Sequence, residues 1–118
     1  MMHEISLMRS ILDIAQEEIL KHKANKFTLL RVRHGMLANV MPEAMDMAFI
    51  AMTAGTPNEG AKLEIIEEPL CVRCADCKIE STPNSQNALF QPCPHCGNWT
   101  SYTILSGEGI FLDHIEAE

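Results

Sequence analysis

The chain has 118 residues, 21% of them charged and 47% hydrophobic, and a formal net charge of −7. That length is about one small domain, or one domain with a small insert. The acidity argues against a nucleic-acid zinc ribbon, which shows a basic face.

Met occurs eight times while aromatics make up only 5%, so Leu, Ile, Val and Met are expected to fill the core. The N-terminus carries His3 and Glu4 rather than a basic region followed by a long apolar run. No stretch approaches the length of a membrane span. The reading is a chain without signal peptide or membrane segment. Five cysteines, four of them in metal spacing, predict a reducing compartment, the cytoplasm.

Met1-Met2-His3 opens the chain. A free α-amine, two deprotonated amide nitrogens and the His3 imidazole can form a square-planar nitrogen set, which suits Ni(II) or Cu(II) rather than zinc. Glu4 adds an adjacent oxygen. As a bare tripeptide the signal is weak, because a His near a terminus is common by chance.

Residues 4–23 read as an amphipathic helix. Ile5, Met8, Leu12, Ala15 and Ile19 recur at helical spacing, widened by Ile11 and Leu20, with Arg9, Asp13, Gln16 and Glu17 opposite. Lys21, Lys23, Lys26, Arg31 and Arg33 form the one basic cluster. It reads as a solvated helix end and strand rather than a polyanion site.

Residues 27–34 alternate as a strand, with Leu30 and Val32 on one face and Arg31 and Arg33 on the other; Gly35 turns out of it. His34 reads as polar surface or strand end. Pro42 suits a first helical position, and Met45, Ala48, Phe49 and Met52 make a second apolar stripe ending near Gly55. That placement makes Met41, Met45, Met47 and Met52 core packing rather than a thioether copper cluster. Residues 61–67 read as a second strand with Leu63 and Ile65 inward.

The cysteine module follows. Cys74-Ala-Asp-Cys77 is separated by fifteen residues from Cys93-Pro-His-Cys96. Two C-x-x-C pairs at this separation have the spacing of a four-thiolate zinc site, closed and without redox chemistry. A thioredoxin-like pair fits less well, since neither C-x-x-C follows a strand and opens a helix. Cys71 makes a competing pair with Cys74; directly after Pro69-Leu70 it reads better as a small buried hydrophobe. His95, inside the second pair, reads as a surface residue. Residues 81–87 are a polar loop, 99–105 a short strand, and 110–115 a last strand.

The order α–β–α–β, cysteine module, β leaves the last strand in need of a sheet partner. The economical fold is α+β: a small mixed sheet of about three strands with two helices, carrying an inserted zinc-ribbon-like module of four cysteines. The main domain is then 1–67 plus 106–118, with 68–105 as the zinc-binding insert.

Met2-His3-Glu4-Ile5-Ser6-Leu7 opening a helix, a strand ending in Gly35, then Val40-Met41-Pro42-Glu43, and two C-x-x-C pairs before a final strand together resemble the HypA/HybF family of hydrogenase-maturation nickel metallochaperones. The resemblance runs over nearly the whole chain. It implies Ni(II) as cargo, held at His3 with Glu4, and structural Zn(II) on Cys74, Cys77, Cys93 and Cys96. With the residue more that this chain carries ahead of its His, Met1 and Met2 join the nickel set. It further implies two partners, a HypB-type nickel GTPase and the [NiFe]-hydrogenase large subunit, and a role in nickel delivery without enzymatic turnover. Exposed helix faces leave room for a homodimer. The rival reading is a zinc-ribbon interaction adaptor with no nickel cargo.

Overall fold

The computed structural model describes residues 2–99 and 101–118, apart from the Met2 side chain. Met1 and the Met2 side chain, both expected at nickel, lie outside the described residues, as does Thr100 of the expected strand 99–105. The elements run α1 (Met2–Lys21), β1 (Phe27–Gly35), a 3-10 turn (Met36–Ala38), α2 (Pro42–Thr53), β2 (Lys62–Glu68), β3 (Cys71–Cys74), β4 (Glu80–Ser81), a 3-10 turn (Gln86–Phe90), β5 (Tyr102–Ser106) and β6 (Ile110–Ala117). One three-stranded sheet has the order β2-β1-β6, the other β4-β3-β5. The fold is thus α+β, and β6, which follows the cysteine module, takes β1 as its partner.

The chain divides into two compact units. One comprises Met1–Arg33, Val40–Ile66 and Ile110–Glu118; the other His34–Asn39 and Glu67–Gly109.

The first unit is built on apolar burial. Met8, Ile11, Leu12, Ala15 and Ile19 of α1 pack with Phe27, Leu30 and Val32 of β1 and with Met45, Ala48 and Phe49 of α2. The rings of Phe27 and Phe49 sit 6.3 Å apart, within the range of favourable aromatic contact. Helix α1 stops where Lys23 turns left-handed (φ 59°): Ala24 N–H donates to Ile19 O and Lys23 N–H to Leu20 O, the paired bonds of a Schellman stop. Two expectations for α1 are corrected. Ile5 and Leu20 are exposed, and Glu4 takes the buried place ahead of Met8. The basic cluster faces carboxylates: Lys21 meets Glu18, Arg31 meets Glu64 at 3.1 Å, and Arg33 meets Asp113 at 3.5 Å.

The second unit buries far less. Leu70, Val72, Cys74 and Cys93 are its buried hydrophobic residues among those described. Strand β3 is central and antiparallel to both neighbours; Arg73 stands opposite Glu80, and the two form an ion pair at 3.0 Å. The segment after β1 is stitched to the end of the unit: Gly35 N–H donates to Gly109 O and Leu37 N–H to Gly107 O, both at 2.9 Å. A Cβ on Gly35 would overlap the Gly107 carbonyl, and one on Gly107 would come within 2.7 Å of the Leu70 Cα. Only glycine permits so close a backbone crossing. Glu68 accepts the Gly107 N–H at 2.9 Å. His34, expected as polar surface or strand end, stands one residue before the end of β1 and is buried rather than exposed, with Nδ1 3.2 Å from Gly35 O.

Candidate metal centre

Both cysteine pairs adopt one backbone design. In the first, Lys78 N–H donates to Cys74 O (3.0 Å) and Cys74 N–H to Ile79 O (3.1 Å). In the second, Gly97 N–H donates to Cys93 O (2.8 Å) and Cys93 N–H to Asn98 O (3.0 Å). The residue after the second cysteine is left-handed in each, Lys78 at φ 63° and Gly97 at φ 76°. Glycine adopts that region freely, whereas a side chain there costs about 1–2 kcal/mol. The two turns are tied by Ala75 N–H to Ser101 O and by Asn98 Nδ2 to Asp76 Oδ2.

This design brings four sulfurs together. Those of Cys74, Cys77, Cys93 and Cys96 all lie within 4.8 Å of one another. Cys74 and Cys96 stand 3.8 Å apart, Cys77 and Cys93 3.7 Å. Bonded disulfide sulfurs would be about 2.05 Å apart. Four thiolates about 2.3 Å from a tetrahedral zinc ion stand about 3.8 Å from each other. Donor chemistry and spacing therefore fit zinc. Cys71 opens β3 opposite Ser106 and is not among the four. His95 is exposed and contributes its backbone N–H to the environment of Cys93.

Without a cation the cluster resists full ionisation. The N–H groups of Cys96 and His95 aim at Cys93 and lower its thiol to about 6. At Cys96 the Asn98 N–H favours the thiolate, but burial and the neighbouring sulfurs outweigh it and push the thiol up to about 12. Cys77 is raised as well: the Ile79 N–H opposes the rise, and burial with Cys74 and Cys93 prevails. One negative sulfur thus makes the next harder to ionise. A divalent ion at the centre would relieve that repulsion.

The N-terminal residues lie on α1. His3 is exposed. Glu4 is 3% exposed, and its Oε2 accepts the Met41 N–H at 3.3 Å. Burial alone would raise the Glu4 carboxyl; the N–H groups of Met41 and of Glu4 itself, together with the positive N-terminal amine, outweigh it and hold the carboxyl below its ordinary range. Sequence periodicity missed this burial, because the neighbouring Ile5 fits the apolar stripe better. Among the described residues, the four cysteines are the one group of three or more metal-capable side chains that stands together. No helix among them is long and apolar enough to cross a membrane.

A family model described as "Hydrogenase/urease nickel incorporation, metallochaperone, hypA" matches residues 2–117. Hydrogenase maturation factor HypA of Solidesulfovibrio magneticus is 42% identical over 117 residues, covering 99% of this chain and 100% of the relative. The same-named protein of Lawsonia intracellularis is 40% identical over 118 residues, covering 99% and 100%. The solution structure of the Ni metallochaperone HypA from Helicobacter pylori superposes with a TM-score of 0.66 at 22% identity, covering 97% of this chain and 96% of that one. A second solution structure, of a HypA protein, gives 0.71 at 24% identity, covering 100% and 98%. At these identities the two structures speak to the fold.

Proposed function

Because the chain belongs to the HypA family of hydrogenase maturation factors, whose family model is that of a nickel metallochaperone, we propose that its N-terminal segment binds Ni(II) and hands it on for [NiFe]-hydrogenase maturation. The observation that carries this reading is the exposed His3 at the start of α1. The first N–H groups of a helix have no partner within it, so the amides of Met2 and His3 are free of helix bonds and available as nitrogen donors. With the Met1 amine and the His3 imidazole they complete a square-planar set suited to Ni(II). A site at a solvent-reachable chain end can take up and release its metal.

Nickel binding falls to the first unit. In the second, zinc on Cys74, Cys77, Cys93 and Cys96 would hold the two turns together; four thiolates close the tetrahedron and leave no position for a reacting water. The protein then acts by transfer, without turnover of its own. It works in the cytoplasm beside a HypB-type nickel GTPase and the hydrogenase large subunit.

Calorimetry with Ni(II) on the wild type and on His3→Ala tests the assignment. Affinity should fall at least tenfold in the variant; an unchanged affinity removes the site from His3. One observation favours the adaptor reading instead: Phe90 and Trp99 are 77% and 76% exposed, in a stretch from 81 to 107 that lacks Asp, Glu, Lys and Arg. Exposed aromatics without charge are typical of interface cores. Nickel that binds no better to the whole chain than to one lacking residues 1–3 would favour that reading.

A further inference from the structure

We infer that the outer face of α2, with the seam between α1 and α2, is a docking surface for an amphipathic helix of another protein, apolar along one side and carrying Lys or Arg beside it. The inference goes beyond the nickel reading and does not depend on it.

Helix α2 is apolar all round. Its inner side, Met45, Ala48 and Phe49, belongs to the core. A surface helix has polar residues on the opposite side, as α1 does with Arg9, Asp13, Gln16 and Glu17. On α2, Met47 and Ile50 stand there instead, each 63% exposed. Three residues apart, they are neighbours on the helix surface. Met41 and Met47, expected in core packing, both lie outside it. At the seam this face continues into a cavity of about 230 Å³, lined by Ile5 of α1 and by Ala44, Met47, Ala48, Ala51 and Met52 of α2. Every one of those side chains is apolar. A helix with this pattern is characteristic of an element covered on both sides.

Shape and charge together specify the cover. A groove between two helices takes a third, whose apolar residues at i, i+3, i+4 and i+7 drop between theirs. Charge then selects among helices. Between Arg33 and Lys62 the chain has no Lys or Arg, and its acids are Glu43, Asp46 and Glu59. Glu43 stands one turn before Met47 and Asp46 one turn before Ile50, so carboxylates border the apolar pair. Among the described residues neither carboxylate forms a salt bridge. On α1, Arg9 follows Ile5 by one turn and lines a different cavity, together with Asp13. A second copy would press the same acids against each other, on chains that each carry −7. A partner with Lys or Arg beside its apolar ridge gains where a second copy loses. Ile5 follows His3 by two residues, so a helix seated in the seam reaches the end of α1 that carries His3.

The test titrates the full zinc-loaded chain with a synthetic helix of about 20 residues, long enough to hold its fold alone. It carries Leu at i, i+3, i+4 and i+7 along one side, flanked by Lys; a twin has Glu in place of every Lys. Fluorescence anisotropy should show the Lys peptide binding at least about tenfold tighter than the Glu twin, with the gap narrowing as salt rises. Met47→Glu and Ile50→Glu should each weaken the Lys peptide at least about tenfold, although each adds a charge that a purely electrostatic contact would favour. Both positions are exposed, so the melting temperature should hold. Amide exchange on the wild type gives a reading free of variants: the Lys peptide should raise protection in α2. Absence of binding up to about 1 mM peptide overturns the inference. So does equal binding of the twins, unchanged affinity in both variants, or a footprint around Phe90 and Trp99 instead. A wild-type dimer in sedimentation that Ile50→Glu dissociates also overturns it, because the cover is then a second copy.

Discussion

The two units solve the same problem with different materials. The first encloses two Phe rings and a row of Leu, Ile, Met and Val between two helices and a sheet. In the second, the buried hydrophobic residues are Leu70, Val72 and two of the four clustered cysteines. Where the chain has apolar residues at regular spacing, burial holds the fold. Where it has turns, prolines and polar residues, as from 81 to 99, four sulfurs stand in for a core. Small units short of apolar area depend on such staples.

That contrast is open to direct attack. The largest effect should follow removal of the zinc-site metal by a strong chelator, since structural zinc contributes about 10–16 kcal/mol in small metal-folded modules. Exchange protection should vanish across β3, β4 and β5 and persist in α1 and β1. If β3 stays protected without metal, the second unit has a sufficient core after all. Next comes Phe49→Ala, which removes a ring 2% exposed from the first unit. A loss of about 3–5 kcal/mol is expected, seen as a lower melting temperature of α1 and α2 with full zinc content retained. A change below about 1 kcal/mol would mean that the apolar cluster is not what holds this unit. The smallest effect is at Lys78, left-handed where the matching turn has Gly97. Lys78→Gly should slow zinc release and stabilise the second unit by about 1 kcal/mol, the relief of strain less the entropy of a freer unfolded chain. Faster release would show that the lysine side chain itself protects the cluster.

Legibility in the sequence followed the range of the interactions. The helices, strands β1, β2, β5 and β6 and the two C-x-x-C pairs were readable because periodicity and ligand spacing are local; β3 and β4, short and within the cysteine module, were not. That the last strand joins the main sheet was readable because a strand needs a partner; that the partner is β1 was not, because strand order depends on long-range pairing. Glu4 escaped because its burial depends on an N–H 37 residues away, and hydrophobic periodicity ranks Ile5 above it. His34 escaped for a similar reason: the strand pattern runs out there, while the backbone goes on into a crossing with residues 107–109. The left-handed turn at Lys78 carries no glycine to announce it. The symmetry of the two knuckles was its signal, since the residue following Cys96 is Gly97.

The glycine crossing has a consequence for the order of assembly. Gly35 and Leu37 emerge early in synthesis, but the carbonyls they bond belong to Gly109 and Gly107. The first unit waits as well: Asn25 N–H donates to Glu118 O, and Glu118 N–H to Lys26 O. Neither unit can be closed by a nascent chain still short of these C-terminal residues. The bonds that close each unit thus join residues far apart in the sequence. Long-range closures of this kind form more slowly than local ones.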